Sequence, residues 1–321
     1  MFPSEIRNKN VLIAPLDWGM GHVTRSLALM NQLIENGNQL VFAGTEEQIR
    51  IAKQDLPELA YELIAGYEIT LDSAKSTYWQ MILQSAKMQR TIKQEEEVAE
   101  MLASKHQIDI IISDNRYGFR SEKCDNIILT HQLSPPLPAL RKAVASKVIK
   151  WVNKFNFCWI PDNKVNPICG DLNEVDLKIP KLSIGLLSRL KFQEVEKKID
   201  LLFISSGPEP ERSKFEKSLL SILKSSGLSF KAVGQSGIEE EFYVNNPSAQ
   251  ELEKLINSSK KVISRAGYTT IMELSHLKST AILVPTNGQY EQEFLASTVK
   301  NDQFVFASED ALIENFTAFV D

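Results

Sequence analysis

The sequence predicts an α/β protein made of two doubly wound, Rossmann-like domains facing a cleft. Three observations predict it. The chain opens on strand, helix and strand in the order of a βαβ unit, the same design restarts near residue 199 after a polar stretch, and 321 residues are long for one hydrophobic core. A hydrophobic share of 43% with 24% charged residues is globular, so both halves can bury a core.

In the first domain, read as residues 1–182, Val11-Leu12-Ile13-Ala14-Pro15 is the opening strand. Val23, Leu27, Met30 and Ile34 then recur at helical spacing as far as Gly37, and Leu40-Val41-Phe42-Ala43-Gly44 is the next strand. A polar helical stretch over 73–105 follows. Ile108-Asp109-Ile110-Ile111-Ile112 and Asn126-Ile127-Ile128-Leu129 continue the parallel sheet, and Ser183-Ile184-Gly185-Leu186-Leu187 reads as a last strand before a charged linker. The second domain, read as residues 183–321, takes strands from Ile199-Asp200-Leu201-Leu202-Phe203-Ile204, Phe230-Lys231-Ala232-Val233-Gly234, Lys261-Val262-Ile263 and Thr280-Ala281-Ile282-Leu283-Val284-Pro285. A helix runs through Leu219, Leu220 and Leu223. In such sheets ligands sit outside the carboxyl ends of the strands, and the motifs below fall there.

The net charge of −5 supplies no global field for nucleic acid, so any site for a polyanion must be local. Three cysteines with no Cys-x-x-Cys pair build neither a zinc site nor a disulfide framework and point to a reducing compartment. Met1-Phe2-Pro3-Ser4-Glu5-Ile6-Arg7 lacks the apolar core of a signal peptide, and no apolar run reaches membrane-spanning length, so a cytoplasmic protein is expected. On a helical wheel Leu140, Val144, Val148, Trp151, Val152 and Phe155 share a face flanked by Lys147, Lys150 and Lys154. Residues 140–157 could therefore lie on an anionic membrane at its inner face and serve a lipid-linked acceptor, or simply pack within the domain.

The strongest chemical signal is Ser264-Arg265-Ala266-Gly267-Tyr268-Thr269-Thr270, a turn that opens a helix and leaves amides and hydroxyls for an anion. Glu273 projects one turn deeper on the same side, which suits a ribose diol, although a solvated first-turn acid fits the same pattern. Gly288-Gln289-Tyr290-Glu291-Gln292 adds a carboxylate and a carboxamide suited to sugar hydroxyls, and Ser205-Ser206-Gly207 ends a strand where small residues can meet a phosphate. In the first domain Gly19-Met20-Gly21-His22-Val23-Thr24-Arg25 fills the first strand-to-helix turn with a histidine able to take a proton near neutral pH. Ser113-Asp114-Asn115-Arg116 and Thr130-His131-Gln132 follow later strands; Asp114 could orient the imidazole of His22 or merely cap a turn. No Asp-x-Asp pair occurs, so no metal is expected on a diphosphate.

Together these motifs resemble the two-domain GT-B glycosyltransferases, most closely family 28, the peptidoglycan N-acetylglucosaminyltransferase type. The resemblance implies a metal-independent, inverting transferase with a UDP-sugar as co-substrate and no other cofactor, UDP-N-acetylglucosamine being the favoured donor. By it Glu273 binds the ribose, while Gly267, Tyr268, Thr269, Thr270, Ser206 and Gly207 bind the diphosphate. Glu291 and Gln292 contact the donor sugar, with Arg265, Ala266 and Gln289 completing the donor side. Gly19, Gly21, Arg116 and His131 fall on the acceptor side, the acceptor being a lipid-linked or small glycan. His22 with Asp114 is similar to the catalytic dyad of plant-type UDP-glycosyltransferases. Leu295 stands where the family's final motif usually has asparagine, and a chain ending at Asp321 is expected to lack the family's closing helices. The Gly-x-Gly-His-x-x-Arg run is also similar to the UDP-sugar hydrolase of pseudaminic acid synthesis, in which His22 would activate water.

Overall fold

The computed structural model describes residues 1–67, 85–137 and 140–320, with side chains of the helix beginning at Ser85 described from Met88 onward. Two compact units divide at Arg189 and Leu190. The sequence-based boundary at 182/183 falls earlier because the last strand of the first sheet is Lys181–Ser183, shorter than expected, and the chain beyond it runs without regular structure while still packing on the first unit. Leu187 is buried, and Arg189 donates to Asp55 at 2.7 Å.

The first unit begins β1 (Asn10–Pro15), α1 (Met20–Glu35), β2 (Gln39–Gly44), α2 (Glu46–Asp55) and β3 (Ala60–Leu63). It continues with α3 (Ser85–Lys105), β4 (Ile110–Asp114), β5 (Asp125–Leu129), α4 (Arg141–Val152), β6 (Phe157–Ile160) and β7 (Lys181–Ser183). The portion of the expected 73–105 helix before Ser85 lies outside the described residues. The sheet is parallel, in the order β3-β2-β1-β4-β5-β6-β7. β1 and β4 are buried along nearly their whole length, the continuous apolar pattern of a strand covered on both faces. α1 buries Val23, Leu27, Met30 and Leu33 against that sheet, whereas Ile34, expected in the stripe, is 40% exposed. α2 starts where Thr45 and Gln48 form a reciprocal capping box.

The second unit repeats the design. Its elements are β8 (Ile199–Ile204), α5 (Glu211–Ser225), β9 (Phe230–Gly234), β10 (Tyr243–Asn245), α6 (Ala249–Asn257), β11 (Ser259–Arg265) and α7 (Tyr268–His276), then β12 (Ala281–Val284), α8 (Tyr290–Thr298), β13 (Phe304–Phe306), α9 (Glu309–Glu314) and α10 (Phe316–Val320). The parallel sheet runs β10-β9-β8-β11-β12-β13. Its core joins Leu201 and Phe203 of β8 to Phe215, Leu219 and Leu223 of α5 and to Leu312 and Phe316 near the end of the chain.

In each sheet the chain reverses direction of travel beside the first strand of the unit. The switch lies between β1 and β4 in the first sheet and between β8 and β11 in the second. Loops leaving adjacent strands on opposite sides of the sheet open a crevice at such a point, which is where open α/β sheets bind ligands.

The apolar face of α4 is not free for a membrane. Val144, Val148, Val152 and Phe155 are buried within the first unit, and Trp151 lies against the Tyr117 ring at 5.2 Å between centroids. The domain-packing reading replaces the membrane reading for that face, because apolar surface already removed from water has nothing further to gain from lipid. Among the described residues no helix is long and apolar enough to cross a membrane.

Candidate functional site

The first-unit site is assembled by strand register. Pro15 of β1 pairs with Asp114 of β4, and the Leu16 amide donates to the Asp114 carbonyl at 2.9 Å. Both strands therefore stop at one level, and Asp114 stands beside the loop that leads into α1. Gly19 at φ 94°, in the left-handed region, is the N-cap that lets the loop turn into that helix, and His22 follows in its first turn. Asp114 is fully buried, while the His22 side chain keeps 13% of its surface.

His22 Nδ1 lies 3.0 Å from Asp114 Oδ1. Arg25, one helical turn on, grips the same carboxylate from the side: Nε donates to Oδ2 at 2.7 Å and Nη2 donates to Oδ1. Arg25 Nη1 reaches His131 Nδ1 at 2.9 Å, and because a guanidinium only donates, that nitrogen of His131 accepts. His131 is 6% exposed, so it is a buried member of this cluster rather than a solvated loop residue. Burial of the carboxylate acts against its charge, but the Arg25 guanidinium and His22 outweigh it and hold Asp114 far below the usual carboxylate range. His22 is pushed below the usual histidine range, first by burial and then by Arg25, against the pull of Asp114. A neutral imidazole that donates Nδ1–H to Asp114 carries its lone pair on Nε2, which is the form a general base requires.

Arg116, expected on the acceptor side, is instead an internal clamp. It is 1% exposed and donates to the Pro15 carbonyl at 2.9 Å, to the Ala65 carbonyl at 3.3 Å and to Glu95 Oε1 at 3.0 Å. Glu95 also accepts from the Tyr67 hydroxyl at 2.7 Å and the Gly118 amide at 3.1 Å, and burial raises its carboxyl above the usual range. This network secures the loop after β1 from below. The sequence reading missed Arg25 as a partner of the pair; its signal was the i, i+3 spacing from His22, which puts both side chains on one face of α1.

In the second unit Gly267 is the N-cap of α7, so the amides of Tyr268, Thr269 and Thr270 form the first turn, which a helix leaves without intrahelical acceptors. Thr269, Thr270 and Glu273 are half-buried at that end. Across the switch point Ser206 Oγ lies 3.5 Å from Ser264 Oγ, and Gly207 turns at φ 106°. Gln292 Oε1 accepts from the Thr286 amide at 2.8 Å, which seats the carboxamide at the end of β12, while Glu291 is half-buried beside it and Gln289 is the N-cap of α8.

Three donor-side expectations change here. Ala266 is fully buried and its amide donates to the Val284 carbonyl at 3.2 Å. The Tyr268 side chain is buried, leaving only its backbone for a ligand. Arg265 turns into the unit, stacking over Phe215 at 4.1 Å and pairing with Glu309 at 3.0 Å, because strand alternation sends its side chain toward α5. Among the described residues Ser205 Oγ and Thr286 Oγ1, just past the carboxyl ends of β8 and β12, are buried without a partner in the protein. Buried polar atoms of this kind are uncommon, and a polar ligand is one way they are satisfied.

Residues 213–306 match the model of the glycosyltransferase family 28 C-terminal domain, a span that holds the α7 turn, Glu273 and the Gln289–Gln292 cluster. No curated protein matches the chain in sequence. Solved structures share its architecture. UGT2 of Phytolacca americana, complexed with UDP-2-fluoroglucose and pterostilbene, is 12% identical with a TM-score of 0.66, covering 98% of this chain and 90% of that one. MurG of Acinetobacter baumannii is 13% identical with a TM-score of 0.55, covering 98% and 91%. The spinosyn rhamnosyltransferase SpnG complexed with thymidine diphosphate is 11% identical with a TM-score of 0.59, again covering 98% and 91%. At these identities the likeness is one of fold, and the fold is the two-domain GT-B architecture of glycosyltransferases.

Proposed function

We propose that the chain is a metal-independent, inverting glycosyltransferase that moves a sugar from a UDP-sugar to an acceptor hydroxyl. The observation that carries the reading is the contact of His22 Nδ1 with buried Asp114 at a sheet switch point; with the ring proton on Nδ1, Nε2 is the base. Nε2 takes the acceptor's O–H proton as that oxygen bonds to the anomeric carbon, and the bond from that carbon to the diphosphate oxygen breaks with its electron pair leaving on the diphosphate. Asp114 steadies the imidazolium that forms. A single displacement of this kind inverts the anomeric centre.

The second unit would hold the donor. Amides of the α7 first turn and the Ser206-Gly207 turn receive the diphosphate, Glu273 the ribose hydroxyls, and Glu291, Gln292 and Gln289 the sugar. The family 28 match over 213–306 supports this assignment, and the structural relatives solved with UDP-2-fluoroglucose and thymidine diphosphate show that the fold accommodates such ligands. N-acetylglucosamine is the favoured sugar and a lipid-linked or small glycan the favoured acceptor, both by resemblance, with the reaction placed in the cytoplasm.

Calorimetric titration with UDP and UDP-N-acetylglucosamine, with and without EDTA, tests the donor half. Binding unaffected by EDTA and weakened at least about tenfold in Glu273→Ala is expected, the scale of a lost charged hydrogen-bonding partner. Folded protein that binds neither nucleotide overturns the donor assignment. A second reading, hydrolysis of the UDP-sugar with His22 activating water, is favoured by the engagement of Arg25 from the Gly-x-Gly-His-x-x-Arg run in the His22 cluster. Free sugar as the sole product, unchanged by added acceptors, would establish hydrolysis in place of transfer.

A further inference from the structure

The feature of the His22 cluster that base-and-orienter chemistry leaves unused is Arg25. A buried carboxylate touching an imidazole favours the imidazolium and raises the pH at which the ring becomes neutral and able to act as a base. Here the carboxylate is not alone. Arg25 contacts both oxygens of Asp114 and also lies 2.8 Å from His22 Nδ1, so the carboxylate and guanidinium form a neutral unit against which the imidazole rests. Nδ1 donates to Asp114 in one tautomer and accepts from Arg25 Nη2 in the other, since Arg25 has no acceptor, and in either the approach of the guanidinium nitrogen penalises a second positive charge on the ring.

Resting on the reading of His22 as the base, we propose that Arg25 is a positioning residue of the pair, clamping Asp114 side-on and cancelling its charge so that His22 stands neutral with its proton on Nδ1. Among the described residues, the charged and titratable groups bearing on His22 are Asp114 from β4, Arg25 from its own helix and His131 from the loop after β5. Arg25 ties the other two together by donating to His131 Nδ1 as well, so one side chain fixes the carboxylate and the neighbouring imidazole at once. Asp114 keeps its orienting role; what Arg25 adds is that orientation comes without premature protonation.

The test is a titration of the His22 ring nitrogens by long-range ¹H–¹⁵N NMR on the full chain without substrate, alongside the pH dependence of kcat/KM. In the wild type a neutral ring at pH 7 with the proton on Nδ1 is expected. In Arg25→Met the midpoint of His22 should rise by about 1 to 3 pH units, the shift an uncompensated neighbouring carboxylate produces. The acid limb of kcat/KM should move with it. Arg25→Lys, which keeps a cation, should show a smaller rise, and Arg25→Met with Asp114→Asn should abolish it, because no carboxylate charge is left to act. A merely structural Arg25 would instead lower activity equally at all pH values.

An unchanged midpoint in Arg25→Met overturns the proposal, as does a raised midpoint that persists in the double variant. Should Arg25→Met not fold, the wild type decides: an imidazolium at pH 7, or a proton on Nε2, overturns it. Because the titration needs no substrate, a chain that transfers no sugar can still satisfy it. Measured transfer with the wrong tautomer removes this inference and leaves the transferase reading standing.

Discussion

Glu95 and Arg116 show how much of a candidate site is held by residues buried beneath it. Both are buried, and Arg116 ties the carbonyls of Pro15 and Ala65 to the Glu95 carboxylate just below the loop that presents His22. Removing one member of a buried ion pair leaves the other charge uncompensated, which costs about 3–5 kcal/mol. Glu95→Ala should lower the stability of the protein by that amount in urea unfolding, and Glu95→Gln by less because an acceptor remains. A loss below about 1 kcal/mol in Glu95→Ala would mean that Asp17, 3.6 Å from Arg116, balances the guanidinium by itself. Under the proposed reaction, His22→Ala should reduce kcat by about 10²–10⁴-fold with UDP affinity retained, the usual contribution of a general base. Equal loss of nucleotide binding would refute the division of labour between the units. His22, Asp114 and Glu273 stood out in the sequence because each lies at or just past the end of a strand. The inward turn of Arg116 and Arg265 was not, since a guanidinium reads as a ligand group until its burial and partners are known.

At the scale of elements, the strands read correctly were those buried on both faces, whose continuous apolar runs carry the signal. Strands β3, β6, β10 and β13 were missed. β3, β10 and β13 have exposed or half-buried positions that break the apolar pattern, while β6 is apolar and buried but only four residues long and follows closely on the α4 stripe. α4 was legible as an amphipathic helix, but the partner of its apolar face was not, because periodicity says that a face is buried and not what buries it. Val148→Asp should therefore destabilise the fold by about 3 kcal/mol or more, whereas Lys150→Glu on the exposed side should stay within about 0.5 kcal/mol by thermal or urea unfolding. Packing between elements also explains Gly118. A Cβ there would stand 2.6 Å from Ile92 Cα on α3, so Gly118→Ala must push helix and loop apart, at a cost of about 1–3 kcal/mol. A wild-type melting temperature in Gly118→Ala would show that the helix shifts without resistance.

For the whole molecule, acid is expected to act through the buried first-unit cluster. The Asp114 carboxyl is depressed in the folded protein, so its contribution is fully present above about pH 4 and is lost as the pH falls below that value. His22, also depressed, acts in the same direction below about pH 6.5, while the raised Glu95 carboxyl acts in the opposite direction above its ordinary range. Melting temperature should therefore drop steeply below about pH 4, and the drop should be shallower in Asp114→Asn. An identical acid limb in that variant would place the acid sensitivity elsewhere.

Sequence alone determined that the chain is α/β, that it restarts its design halfway, and that its polar motifs follow strand ends. These properties are local: apolar runs, helical spacing and turn residues act within a few positions of one another. Tertiary structure decided the strand order, and with it that β1 neighbours β4 and β8 neighbours β11, which brings His22 to Asp114 across 92 positions of sequence. It also decided that Arg25 clamps that carboxylate, that Arg116 and Arg265 serve the interior, and that the first unit extends to Arg189. Hydrogen bonding and charge compensation among buried side chains depend on distances between elements, which no local pattern of residues encodes.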